Sequence, residues 1–295
     1  MDYTVCRLCP RNCGIDRTQR AGFCGETSEI RIARAALHFW EEPCISGKNG
    51  SGTVFFSGCN LRCCYCQNSV ISTSRVGEAV SVERLCEIFL ELQKDGAENI
   101  NLVTPTHFVL GIIDALILAK ERGLKLPIVY NCGGYESVEA LKLLDGLVDV
   151  YLPDFKYYDE RFAIKYSNAP NYKEIAEASI GEMVRQVGKP RFDERGMMIK
   201  GVIVRHLCLP TLTDDSKRVL KFLHRTFGND IYISIMSQYT PTDFCSCDEL
   251  KKTLDREDYN DVLYYCDAIG IEQGFTQEEG CEKESFIPDF DLTGV

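Results

Sequence analysis

The sequence contains no apolar run approaching the roughly 20 residues that a membrane-spanning helix needs. Its opening stretch, Met1-Asp2-Tyr3-Thr4-Val5-Cys6, leaves no room for a secretory signal ahead of the first cysteines. Both absences predict a cytoplasmic protein with no membrane partner. Proline is sparse, at 10 of 295 residues, and neither a low-complexity linker nor an internal repeat interrupts the chain; with 45% hydrophobic residues, this excludes disordered and fibrous classes and leaves material for one large core. Basic residues are in deficit, 33 Lys and Arg against 44 Asp and Glu, and the net charge of −11 argues against a broad nucleic-acid-binding face. Nucleotide fingerprints are missing as well. No G-x-G-x-x-G follows a predicted strand, and Gly47-Lys48-Asn49 has neither the spacing nor the following Ser or Thr of a phosphate loop.

Cysteine, by contrast, is abundant. There are 16, and a reducing compartment would not keep them as disulfides, so their grouping points to metal. One group is Cys6, Cys9, Cys13 and Cys24; the other is Cys59, Cys63, Cys64 and Cys66. The remainder, including Cys245, Cys247 and Cys281, are scattered and read as small buried apolar side chains.

The first 50 or so residues show little periodicity. From Thr53-Val54-Phe55-Phe56 onward, buried strands alternate with helices. The pattern predicts a helix from Val82 behind a Ser81 cap, strand 100–103, helix 108–122, strand 128–130, helix 137–145 and strand 148–152. It continues with helices near 159–167 and 171–187, strand 199–209, helix 213–227, strand 231–236 and a last helix near 256–269, followed by an irregular tail. Six strands alternating with helices imply an α/β fold with a parallel sheet, either open or curled toward a barrel. The division expected is a Cys-rich metal-binding extension over 1–50 and a catalytic domain with its tail over 51–295. Unusual polar residues fall at or near the C-terminal ends of these strands: Cys59, then Thr104-Pro105-Thr106-His107, Asn131, Asp154 with Lys156, Arg205, and Gln238. That is where parallel α/β proteins assemble active sites.

The stretch Gly58-Cys59-Asn60-Leu61-Arg62-Cys63-Cys64-Tyr65-Cys66 spaces three cysteines as C-x3-C-x2-C. Three thiolates on a tight loop can hold an iron–sulfur cube and leave its fourth iron without a protein ligand. A zinc knuckle would want four ligands, and Cys64, adjacent to Cys63, is expected to point elsewhere.

This motif resembles that of the radical S-adenosylmethionine enzymes, in the group related to pyruvate formate-lyase activating enzyme. The resemblance implies a partial (β/α)6 TIM-like barrel. It implies a [4Fe–4S] cluster on Cys59, Cys63 and Cys66 with Tyr65 before the last ligand, and S-adenosyl-L-methionine chelated by the open iron and cleaved reductively to a 5′-deoxyadenosyl radical. Asp154-Phe155-Lys156 looks like the Asp-x-Lys motif of the activating enzymes, and Arg205, in Val204-Arg205-His206-Leu207-Cys208-Leu209-Pro210, looks like their cofactor-contacting arginine. Asn131 stands where the family places a polar cofactor contact. The chain departs from the family at Thr104-Pro105-Thr106-His107, which replaces Gly-Gly-Glu-Pro; Thr104 or Thr106 is expected to take over recognition of the amino group, with His107 a proton donor or merely the start of a helix. The same run, with Phe286-Ile287-Pro288-Asp289-Phe290-Asp291, resembles an uncharacterised branch of activating-enzyme homologues.

The resemblance implies a protein or peptide substrate, as in installing a glycyl radical on a partner enzyme, and a flavodoxin or ferredoxin as electron donor. Two other readings stand beside it: radical modification of a peptide, tRNA or small molecule, and a non-catalytic zinc or iron–sulfur binding protein. Cys6, Cys9, Cys13 and Cys24, spaced C-x2-C-x3-C-x10-C, suit zinc or an auxiliary cluster equally.

Overall fold

The computed structural model describes residues 1–73, 76–242, 244–278 and 287–295; Cys281 and Phe286 lie outside them. Among these residues, ten strands form the sheet: β1 (Ile30–His38), β2 (Ser51–Phe56), β3 (Glu78–Val80), β4 (Ile100–Val103), β5 (Ile128–Cys132), β6 (Val150–Pro153), β7 (Arg191–Phe192), β8 (Met198–Leu207), β9 (Tyr232–Met236) and β10 (Gly274–Thr276). Their order is β10-β9-β8-β6-β5-β4-β2-β1-β3, with β7 attached to β8. From β2 through β10 the path is parallel at every step. Among the described residues, the two ends of the path, β3 and β10, are not paired with each other.

The parallel strands are buried along their length, β2, β4, β5 and β6 at every residue, because helices cover them. Local signals start those helices. Ser81 Oγ accepts from Arg84 N at 3.1 Å at the head of helix Val82–Lys94, and Asp159 accepts from Arg161 N to open helix Glu160–Ser167. Helix Val82–Lys94 turns Leu85, Ile88, Phe89 and Leu92 into the core, the face its spacing predicts. No helix among the described residues is long and apolar enough to cross a membrane.

The expected alternation is present, and the differences lie outside it. The first 50 residues are not a separate layer: β1 pairs antiparallel with β2 from Ile32 opposite Phe56 to His38 opposite Ser51, so the sheet continues across the boundary expected at residue 50. The tail is not wholly irregular either. β10 adds a further parallel strand to β9, and Leu292 N and Ala35 N bond across to Ala33 O and Thr293 O, returning the chain end to β1.

Candidate active site

The loop after β2 is fixed by its glycine. Gly58 adopts φ +79°, and a Cβ there would lie 2.6 Å from Glu26 Cγ and 2.7 Å from Cys24 O, so only glycine fits. The next amide, Cys59 N, donates to Cys24 O at 3.1 Å. Arg11 Nε donates to Asn60 O at 2.7 Å, its guanidinium lying 3.9 Å over the Phe23 ring, and Arg62 donates to Phe23 O. The N-terminal segment is therefore packed directly on the cysteine loop.

Cys59, Cys63 and Cys66 open into one cavity with Thr104, Asn131, Asp154, Lys156 and Arg205. Each sulfur has a donor: Leu61 N to Cys59 Sγ at 3.4 Å, Ser167 Oγ to Cys63 Sγ at 3.0 Å, and Ser72 Oγ to Cys66 Sγ at 3.4 Å. Burial, then the other two thiols, pushes the Cys59 thiol well up, and burial followed by Cys63 raises Cys66. With Cys59 and Cys66 resisting ionisation, and all three sulfurs carrying donors suited to thiolates, the group is what a metal cluster would complete by supplying positive charge. The donor set fits a cube held at three corners.

Opposite the cysteines, Lys156 Nζ lies 2.6 Å from Asp154 Oδ2, and Arg205 Nε lies 3.3 Å from Asp154 Oδ1. Burial would raise the Asp154 carboxyl, but Lys156 and Arg205 outweigh it and hold it below its ordinary value. Burial would likewise depress Lys156; Asp154, then the Cys63 sulfur, reverses that and keeps it cationic. Gly134 makes this corner possible: at φ +74° a Cβ would fall 2.0 Å from Asp154 O.

One residue that the sequence does not single out organises this corner from outside the cysteine cavity. Glu41, just beyond β1, accepts from Arg205 Nη1 at 2.9 Å, Asn101 Nδ2 at 2.9 Å and Asn131 Nδ2 at 3.2 Å, while Asn131 Oδ1 accepts from Arg205 Nη2 at 2.7 Å. Asn131 and Arg205 thus line the cavity but spend most of their polar atoms on each other and on Glu41. Nothing local in Trp40-Glu41-Glu42-Pro43 marks this role.

The segment replacing Gly-Gly-Glu-Pro divides. Thr104 is on the cavity, in the left-handed region at φ +59°, its N–H bonded to Asn131 O at 2.9 Å. Thr106 is not; its hydroxyl donates to the buried Glu136 at 2.8 Å, which corrects its expected place at the cofactor. His107 is also buried away from the cavity, with Nε2 2.6 Å from Ser57 O; burial, then Arg17, lowers its pKa to about 3, so it is neutral and braces the loop rather than serving as a proton donor. Tyr65 reaches the cavity with its ring while its hydroxyl meets Tyr157 OH at 2.6 Å.

Of Cys6, Cys9, Cys13 and Cys24, Cys6 accepts at 3.9 Å from the buried Arg17, which also donates to Glu26 O at 3.0 Å and His107 O at 2.6 Å, while the Cys24 thiol lies 3.7 Å from Glu26 O. Burial raises Cys9 to about 12, with Glu136, Cys24 and Cys13 adding to it. Among the described residues, no three or more His, Cys, Asp or Glu side chains are arranged to hold a single metal ion. The arrangement favours neither zinc nor a cluster at these four.

A parallel sheet carrying a three-cysteine loop after one strand and a charged cluster across the cavity defines a class, and the family comparison agrees. Residues 53–223 match the Radical SAM superfamily, and the chain belongs to that superfamily. Among its relatives, an uncharacterized protein of Methanocaldococcus jannaschii is 28% identical over 251 residues, 81% of this chain and 67% of the relative. The pyruvate formate-lyase-activating enzyme of Clostridium pasteurianum is 28% identical over 195 residues, 60% of this chain and 69% of that enzyme. In fold the chain is similar to Streptococcus suis SuiB, crystallised with S-adenosylmethionine, with a TM-score of 0.54 and 14% identity over 76% of this chain; it spans about half, 49%, of the SuiB chain.

Proposed function

We propose that the protein cleaves S-adenosylmethionine reductively at a [4Fe–4S] cluster held by Cys59, Cys63 and Cys66, and that the radical so formed takes hydrogen from glycine in a protein partner. The observation that carries this reading is the convergence of the three thiols on one cavity with Asp154, Lys156 and Arg205. Bound together, cluster and cofactor supply the electron and the carbon radical.

The chain's own residues do the rest. Leu61 N–H and the Ser167 and Ser72 hydroxyls orient the sulfurs and spread their charge. Lys156 and Arg205 give the cavity a cationic edge for a carboxylate, and Asp154, held ionised between them, offers an acceptor to an amino group. Thr104 brings its backbone to the same wall. Leu61, Val103 and Leu207 make part of the lining apolar, which keeps water from a reactive carbon. The similarity to an activating enzyme supports the protein substrate, and SuiB bound to its precursor peptide shows that fold with a peptide. A flavodoxin or ferredoxin is the matching electron donor, since such a cluster works near the low end of its range.

The test is anaerobic reconstitution with iron and sulfide, then dithionite and S-adenosylmethionine. 5′-Deoxyadenosine should accumulate, and Cys59→Ala should abolish it; equal amounts from both proteins would refute the cleavage. Supplying a glycyl radical enzyme with α-deuterated glycine should place deuterium in the 5′-deoxyadenosine. Cleavage without transfer would retain the cofactor chemistry and remove this substrate.

A further inference from the structure

Cys64 sits between two of the cluster cysteines yet faces away from the cavity. Its amide donates to Tyr166 O at 2.8 Å, which turns the chain so that Cys63 and Cys66 line the cavity while the Cys64 side chain is directed toward the segment after β9. There its Sγ lies 3.8 Å from Cys247 Sγ and 4.0 Å from Cys245 Sγ. That segment is anchored without sulfur. Glu249 accepts from Tyr166 OH at 2.8 Å and pairs with Lys165, and Leu250 O accepts from Tyr239 OH at 2.5 Å. Tyr166 therefore holds both sides, through its carbonyl and its hydroxyl, and the approach of the thiols is built into the packing of helix Glu160–Ser167.

We propose that Cys64 and Cys247 form a reversible thiol–disulfide pair that ties the cluster-binding loop to the segment after β9. Two sulfurs in van der Waals contact need only side-chain rotation and a small backbone adjustment to reach the bonding distance of about 2.05 Å. Cys247 is half-buried and the more open of the two partners of Cys64, whereas Cys245 is 2% exposed and bonds Cys247 O through its thiol at 3.7 Å. Cys247 is therefore the point of entry for a small oxidant.

The oxidant is a low-molecular-weight disulfide such as glutathione disulfide. The Cys247 sulfur attacks one of its sulfurs, forming a mixed disulfide and releasing one glutathione thiol. The Cys64 sulfur then displaces the second, closing the Cys64–Cys247 bond. Two electrons and two protons pass from the protein pair to the small disulfide, which leaves as two thiols. The product clamps residue 64 to residue 247 across the fold, one position from Cys63 and two from Cys66. Oxidation would in this way lock the loop that carries three thiols an oxidised cell puts at risk.

The experiment uses the cluster-loaded protein, kept anaerobic and titrated with glutathione disulfide. Free thiols are alkylated, and the unreduced digest is mapped by mass spectrometry. A peptide joining Cys64 to Cys247, lighter by two hydrogens than its parts and restored by dithiothreitol, is the expected result. It should disappear in Cys247→Ser and persist in Cys44→Ser. Full alkylation of Cys64 and Cys247 at every glutathione ratio would overturn the proposal, as would stable glutathione adducts without a cross-link. So would stoichiometric zinc bound in the wild type, lost in Cys247→Ser and protecting both thiols, because that would make the group a metal site. The mapping needs no turnover, so it stands apart from the test of S-adenosylmethionine cleavage.

Discussion

The Glu41 carboxylate lies 2.9 Å from the Arg205 guanidinium, joining a residue just past the first strand to one 164 positions later in the chain. Arg205 also meets Asp154, so burial, which would lower its pKa, is overcome by Asp154, Glu41 and Glu42, and its charge is secure. One acid thus orients the arginine from one side and the other from the opposite side, with Asn131 filling the third direction.

Removing Glu41 should therefore act on binding as well as on stability. Glu41→Ala is expected to destabilise the fold by about 2 kcal/mol, less than for a broken isolated buried pair because Asp154 remains with Arg205. It should also weaken S-adenosylmethionine binding about tenfold. Urea unfolding and a binding titration check the two effects; an unchanged midpoint with unchanged affinity would mean that Asp154 and Asn131 suffice.

Gly58 is expected to tolerate no side chain. Gly58→Ala must leave φ +79° or push against Cys24 O and Glu26, so a loss of at least about 1–3 kcal/mol is expected. A protein that still folds should take up less iron on reconstitution, because Cys59 follows directly. Wild-type stability and iron content in this variant would contradict the close packing.

The hydroxyl of Ser167, 3.0 Å from Cys63 Sγ, should tune the cluster. Hydrogen bonds to ligand sulfurs stabilise the more negative, reduced state, so Ser167→Ala should move the reduction potential downward. A potentiometric titration followed by electron paramagnetic resonance reads this directly; a potential that stays or rises would argue against a bond to the ligand sulfur.

Glu136 gives a pH signature. Burial raises its pKa to about 7 against the bonds from Thr106 and Tyr130, while the unfolded chain titrates it near 4.5. Its folded-state value is the higher one, so the stability it contributes is intact below pH 4.5 and is lost as pH climbs toward 7 and beyond. Over that window the loss amounts to about 3 kcal/mol. Buried His107, with its value lowered, has the opposite slope, losing stability as pH falls below about 6.5, so the wild-type curve alone mixes the two. The stability of Glu136→Gln relative to wild type should rise between pH 4.5 and 7, measured by denaturant unfolding at each pH. A flat difference would place the carboxylate in a less confined setting.

Much of this was legible in the chain itself. Strand and helix periods are local, so 100–103, the Ser81 cap and helix 213–227 were readable, and three cysteines within eight residues announce their chemistry by spacing alone. The same locality explains what was missed. β1 has no strong alternation and becomes a strand because β2 offers it hydrogen bonds; Thr106 is drawn from the cavity by Glu136, a partner 30 residues away.

The sequence by itself determined the alternating core and the thiol-bearing loop, because side-chain period and ligand spacing are written over a few neighbouring residues. Only the tertiary structure decided that Glu41 governs Arg205, that the N-terminal segment rests on the second cysteine loop, and that Cys64 meets Cys247. Each is a contact between segments far apart in the chain, and short-range, orientation-dependent forces act only after folding has brought those segments together.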